Sequence, residues 1–263
     1  MHFKNQKSRL FEFEDQPWFP DVIRSGMTDF LRYFIRLLNV YKPITPLLLE
    51  VLNQTRQKYI VDLGSGGGGA IEQIYQNLSS ISPQKITITL TDKFPNPAAW
   101  QYIQQKTKSA IGFYADSVDA NNVPDSLNGV RTLFSAAHHF KPEQLIQILA
   151  TAVSQKKGIC LFDGGSKSVW MMLGAILFQP LIFFVFTPFF RPFKLSRLVF
   201  TYLIPVIPFC TVWDGCVSLL RLYSPQEFLQ MSQAASAENY TWKAGRVKNK
   251  LGLQVAYLIG YPN

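Results

Sequence analysis

Several residues of this chain stand where alternating strands and helices would present their chemistry. The segment Val61-Asp62-Leu63-Gly64-Ser65-Gly66-Gly67-Gly68-Gly69 follows a short apolar strand and opens a helix. Glycines at 64, 66 and 68 let a backbone turn sharply and come close to a ligand, because no Cβ intervenes. The helix that follows offers free N–H groups. Gly64, Gly66 and Gly69 also stand in the GxGxxG register of a dinucleotide site, so the loop alone leaves a nicotinamide-dependent oxidoreductase open. Asp62 bears on that choice. A carboxylate two residues before the first glycine suits a ligand carrying an ammonium group better than one carrying a pyrophosphate. Asp92 ends the next strand, where a carboxylate can accept hydrogen bonds from two ribose hydroxyls. Asp116 ends a third strand after Phe113 and Tyr114, a candidate seat for a purine ring. His138 and His139 follow a fourth strand and are candidate general bases, with Asp163 and Asp214 as carboxylates able to orient a hydroxyl or amine. Asp62, Asp92 and Asp116 also have a plainer reading as helix N-caps, and the His pair as a turn before a helix.

The elements that must position these groups read clearly. Tyr59–Leu63, Ile86–Leu90, Ile111–Ala115, Val130–Ala136 and Gly158–Phe162 are apolar or β-branched strands. Helical segments at Ala70–Leu78, Pro95–Thr107 and Lys141–Gln155 alternate with them. Five strands separated by helices predict a doubly wound parallel sheet whose ligands bind beyond the strands' carboxyl ends. Ahead of the first strand, Ile23, Met27, Phe30, Leu31, Phe34, Leu37 and Leu38 recur at helical spacing, followed by a second short helix from Ile44. This pair packs on the core or forms a lid over the ligand. Ser224 with Glu227 starts a late helix, and Tyr240–Ala244 and Leu253–Gly260 predict a closing antiparallel hairpin.

The constellation resembles the class I S-adenosylmethionine-dependent methyltransferases. DLGSGGG at 62–68 matches that family's DxGxGxG motif, and Asp92 and Asp116 match its ribose-side and adenine-side acids. The resemblance covers about 58–165 and the terminal hairpin. It implies a mostly parallel seven-stranded α/β sheet with its last strand antiparallel, and S-adenosyl-L-methionine as cofactor. Asp62, Gly64, Ser65, Gly66, Gly68, Asp92, Lys93, Asp116, Ser117 and Ala136 would contact the cofactor. WFPDVIR at 18–24 and the segment 213–228 are similar to uncharacterised bacterial members, which leave the acceptor open. Methyl transfer is an in-line displacement that positioning and desolvation largely accomplish, so His138, His139 and Asp163 matter only where the acceptor must lose a proton.

The regularity breaks at 168–213, which holds no acidic residue and only Arg191, Lys194 and Arg197 as charges. Ser168–Phe190 is long enough to span a bilayer, but Pro180 and Pro188 interrupt it. Three readings follow: a span or re-entrant hairpin, an interfacial patch with Lys167, Arg191, Lys194 and Arg197 on anionic headgroups, or a buried cap walling a large apolar substrate pocket. The last two imply a small lipophilic acceptor, and the same surface could join two copies in a homodimer. A membrane-associated, non-catalytic protein on the same scaffold is the remaining alternative.

At 263 residues with 48% hydrophobic side chains, the chain can bury a full core, and 14% aromatics exclude a disordered chain. Its net charge of +9 does not indicate nucleic acid, because the basic residues of the insertion border Phe- and Leu-rich runs. Three cysteines without a CxxC pair argue against both a disulfide framework and a zinc site. The N-terminal residues lack the apolar run of a signal peptide, which predicts a cytoplasmic protein, peripheral to the inner face of the membrane if the insertion meets lipid. The organisation expected is a lid at 1–55, an α/β core at 56–165, an insertion at 166–223 and a closing helix and hairpin at 224–263.

Overall fold

The short apolar runs become the strands of one sheet because the central ones are buried on both faces, as parallel sheets require. In the computed structural model, which describes residues 10–235 and 239–263, these are β1 (Tyr59–Leu63), β2 (Thr87–Thr91), β3 (Ile111–Phe113), β4 (Val130–Phe134) and β5 (Ile159–Gly164). The closing hairpin is β6 (Tyr240–Lys248) and β7 (Gln254–Pro262). The strand order is β3-β2-β1-β4-β5-β7-β6, with β1 to β5 parallel and β7 antiparallel to both neighbours. The order reverses between β1 and β4, which opens a crevice at the carboxyl ends of those strands.

Helices cover both faces. On one side α2 (Thr45–Gln54), α3 (Ile71–Ile81) and α4 (Pro97–Lys106) bury Leu48, Val51, Ile74 and Trp100 against the sheet. On the other, α5 (Pro142–Ser154) and α9 (Pro225–Ala234) bury Leu145, Ile148 and Phe228. The expected capping box forms: Ser224 Oγ accepts from Glu227 N at 3.2 Å, and Ser224 N donates to Glu227 Oε2 at 2.7 Å.

A third apolar cluster lies off the sheet. It joins α1 (Asp21–Leu37) to the insertion, which consists of α6 (Val169–Phe186), α7 (Leu195–Leu198) with a π turn after it, and α8 (Val206–Arg221). Phe30 stacks on Phe183 at 3.9 Å, and Ile207 and Cys210 are buried with them. Asp29 fastens the two parts electrostatically. It is fully buried and meets Lys194 Nζ at 3.0 Å, Arg32 Nη2 at 3.3 Å and Arg197 Nη2.

Two expectations for the insertion change here. Lys194 and Arg197 are not free for headgroups, because Asp29, a lid residue, holds both. Nor is α6 a buried cap: Phe183 is its one buried residue, and most of its other side chains face outward. The expected third strand is also shorter. β3 stops at Phe113, at the edge of the sheet, and the chain leaves before Asp116. Residues 1–9, where no signal peptide is expected, lie outside the described residues.

Candidate active site

A cavity of about 360 Å³ opens at the carboxyl ends of β1, β2 and β4. The glycine loop forms its floor. Trp100 Nε1 donates to Gly66 O at 2.8 Å from below, and Ser65 N donates to Thr91 O at 2.9 Å, so the loop is pinned to β2 and α4. Gly64 sits at φ +70°, in the left-handed region that a side chain resists, and a Cβ there would meet Ala136 Cβ at 3.2 Å.

Asp62, at the end of β1, is buried and lines the cavity. Its Oδ2 accepts from Ser65 Oγ and its Oδ1 from Thr132 Oγ1, each at 2.7 Å. Burial lifts its pKa to about 7 against the pull of those two hydroxyls, so the carboxyl is poised to ionise beside a cation. Asp92 follows β2 and accepts from Gly66 N and Phe94 N, both at 2.7 Å. Burial raises its pKa as well, with the two N–H groups opposing.

Of the candidate cofactor residues, Asp62, Gly64, Ser65, Gly66, Asp92, Lys93 and Ala136 line this cavity. Gly68, Asp116 and Ser117 do not. Gly68 is required by packing: at φ +76°, its Cβ would fall 2.4 Å from Ile103 Cδ1. Asp116 is exposed, and Ser117 Oγ donates to Lys93 O at 2.7 Å. After β3 the chain swings outward and returns through Val118 N, which bonds to Asp92 O at 2.9 Å. That return brings Asp119, not Asp116, to the cavity, beside Val118, Ala120 and Asn121. Phe113 and Tyr114 are likewise absent from the lining, and Phe113 packs on Trp100 instead. On this side of the cavity the lining ring is Phe94, beside Lys93 and Pro95, with the Arg24 guanidinium 4.0 Å from its centroid.

The catalytic candidates separate in the same way. His139 lines the cavity, whereas His138 is buried behind it with Nδ1 3.3 Å from Asp163 Oδ2. Asp163 is wholly buried in β5 and does not reach the cavity. Asp214 serves the lid: it accepts from Phe13 N at 2.7 Å and Glu14 N at 3.1 Å.

Those contacts bring the N-terminal turn Phe13–Asp15 over the cavity, a grouping that sequence spacing does not reveal. His139 Nδ1 lies 2.9 Å from Asp15 Oδ1 and 3.0 Å from Glu12 Oε2, and its Nε2 lies 3.5 Å from Glu14 Oε1. Arg221 bridges Glu12 at 2.8 Å and Asp15 at 3.2 Å. Burial disfavours an imidazolium, but the three carboxylates outweigh it and hold His139 well above the usual histidine range. Asp15 is held at about 2: burial opposes its charge, and His139 and Arg221 prevail. Glu14 goes the other way, to about 8, through burial and the neighbouring acids Asp214, Glu12 and Asp15, with His139 opposing. Glu12, His138 and His139 also bring one ligand atom each within 4.8 Å of one another, so this cluster has the donors to hold a metal ion.

Helix α1 forms the roof, with Arg24, Ser25, Thr28, Leu31 and Ile35 in the lining. Of the expected helix pair, α1 thus roofs the cavity, while α2 packs on the core. Thr28 presses on the glycine loop: a Cβ on Gly67 would lie 2.8 Å from Thr28 O. No described residue of the insertion proper, 166–223, lines the cavity, so the insertion does not wall it.

Solved structures share this fold. A candidate O-methyltransferase from Nostoc punctiforme PCC 73102 superposes with a TM-score of 0.51 at 14% identity, over 97% of this chain and 64% of its own. The O-methyltransferase NcsB1 of neocarzinostatin biosynthesis, solved with S-adenosylmethionine and 2-hydroxy-5-methyl naphthoic acid, gives a TM-score of 0.51 at 11% identity, over 90% of this chain and 56% of its own. This chain thus spans less than two thirds of the length of either. No protein-family model and no curated protein matches the sequence. The chain has the Rossmann-like fold of the class I S-adenosylmethionine-dependent methyltransferases.

Proposed function

We propose that this protein transfers a methyl group from S-adenosylmethionine to an O, N or C nucleophile on a small lipophilic acceptor. The observation that carries the reading is Asp62, a buried carboxyl at the end of β1, facing the same cavity as the glycine loop and Asp92. A pyrophosphate-binding loop has no use for a carboxylate there, whereas an ammonium group does. The residues present fit the cofactor along its length. Asp62 would hold the ammonium and Asp92 the ribose hydroxyls. Phe94, Val118, Asp119 and Ala120 would enclose the adenine, and S-adenosylmethionine, as held in the NcsB1 complex, would supply a methyl group on a sulfonium.

The chain's own part is to position the acceptor and keep water out. Leu31, Ile35, Phe134 and Phe140 give the cavity an apolar wall that suits a lipophilic acceptor. His139 is the catalytic candidate that reaches the cavity. The Glu12 and Asp15 carboxylates keep a proton on it, so near neutrality it orders the N-terminal turn more readily than it accepts a proton. Loss of transfer in His139→Ala with cofactor binding intact would assign it a role in the reaction; full activity would leave positioning and desolvation as the whole mechanism.

The test is calorimetric titration with S-adenosylhomocysteine and separately with NADH, repeated on Asp92→Ala. Binding of S-adenosylhomocysteine alone is expected. Loss of two hydrogen bonds to a carboxylate, each worth about 1.5–3 kcal/mol, weakens it about a hundredfold or more in the variant. Binding of NADH alone, or of neither, would overturn the reading.

A further inference from the structure

We propose that the insertion is a membrane anchor lying in the plane of the bilayer, with the outer surface of α6, α7 and the π turn immersed among the lipids of an anionic leaflet. Helix α6 has no polar face. Its exposed large side chains run from Ile176 through Leu173, Leu177 and Leu181 to Phe178, an arc of about 200° at about 100° per residue. One neighbouring helix covers a stripe of roughly half that width. Trp170 is 82% exposed at one end of this surface and Leu203 is 77% exposed on the π turn. So large an apolar area is costly in water and stable in lipid.

The seat lies in the plane because α6 cannot leave the domain. Phe183 is stacked on Phe30 of the lid, and Arg197 is tied to buried Asp29, so the insertion is folded onto the protein rather than extended from it. Charge identifies the leaflet. Exposed Lys167 precedes α6 and exposed Arg191 follows it, and residues 168–213 contain no acid. Cations at the two ends of an apolar helix meet lipid phosphates, and a Trp beside one of them matches the headgroup level. A second copy of the chain suits the surface less well. A two-fold interface would gather Lys167 and Arg191 of both copies around one patch, with no acid in 168–213 to pair them.

Helix α1 connects this surface to the site: it packs on the insertion through Phe30 and lines the cavity through Thr28 and Leu31. Delivery of a lipophilic acceptor from the bilayer rests on the methyl-transfer reading, whereas the docking itself does not.

The experiment is co-sedimentation of the full chain with vesicles of equal parts phosphatidylcholine and phosphatidylglycerol, and with phosphatidylcholine alone. Lys167→Gln/Arg191→Gln and Trp170→Glu/Leu177→Glu/Leu181→Glu are run beside it, all at exposed positions. The wild type should pellet with the anionic vesicles. The triple variant should lose at least tenfold in partitioning while its melting temperature and S-adenosylhomocysteine affinity hold. The double variant should lose about fivefold per charge on anionic vesicles. Wild type left in the supernatant with both vesicles, or a dimer in light scattering that the triple variant disperses, would overturn the proposal. Failure to bind S-adenosylhomocysteine would instead count against the methyl-transfer reading, leaving the vesicle result to be judged on its own.

Discussion

Replacing Asp29 with Asn removes one negative charge from a site where it faces three cations. Asp29 is fully buried, and the Arg197 side chain beside it is 2% exposed. Breaking a buried ion pair from one side typically costs about 3–5 kcal/mol, because the surviving charge is left without compensation. The lower end applies here. Arg197 keeps two acceptors, Phe190 O and Pro192 O, each at 3.0 Å, and Lys194 is partly solvated. A cost of about 3 kcal/mol in a chain of this size lowers the melting temperature by about 6–12 °C. Differential scanning fluorimetry measures this directly. The double variant Asp29→Asn/Arg197→Met removes the stranded guanidinium and should recover part of the loss, giving a coupling energy between the two sites. Binding of S-adenosylhomocysteine should weaken in the single variant, since Asp29 sits on the helix that roofs the cavity. A shift below about 3 °C, or a double variant no better than the sum of the singles, would refute the claim that this cluster fastens lid to insertion.

Three further outcomes are expected. Asp62 has a pKa of about 7, and an ammonium group beside it favours ionisation. Cofactor binding at pH 7 should therefore release up to about half a proton, read from calorimetry in two buffers of different ionisation enthalpy; no release would separate Asp62 from the ammonium. Gly67→Ala should weaken cofactor binding and destabilise the fold by about 1–3 kcal/mol, because its Cβ would meet Thr28 O, a backbone atom, at 2.8 Å; unchanged melting and affinity would show that the lid does not press on the loop. Stability should fall as pH rises. Burial raises Glu14 to about 8 and Asp214 to about 7, so from about pH 4 upward the unfolded chain sheds protons that the folded one keeps. His139, held above its usual range, adds a loss in the same direction beyond about pH 6.5. The melting temperature should decline between pH 5 and 8.5, with a shallower slope in Asp214→Asn; a rising profile would contradict these shifts.

Much of this molecule was legible in short stretches of sequence. Tyr59–Leu63 forms β1 at the expected bounds, and β2, β4 and β5 begin within a residue of expectation. Strand, tight glycine turn and helix are decided by residues two to four apart, and burial on both faces makes parallel strands plain apolar runs. Asp62 and Asp92 were identifiable for the same reason, as the polar residues at the ends of such runs. Tertiary structure alone decided the rest. Asp116 and Asp119 lie three residues apart on one loop, and the path of the chain after an edge strand determines which of them faces the cavity. His138 and His139 are adjacent, and packing against Asp163 on one side and the N-terminal turn on the other gives them different surroundings. Asp214 reaches Phe13 across 201 positions, and Arg197 reaches Asp29 across 168. No local pattern encodes such pairs. A buried charge can be satisfied by any opposite charge the fold brings near, so its partner is settled only once the helices are packed.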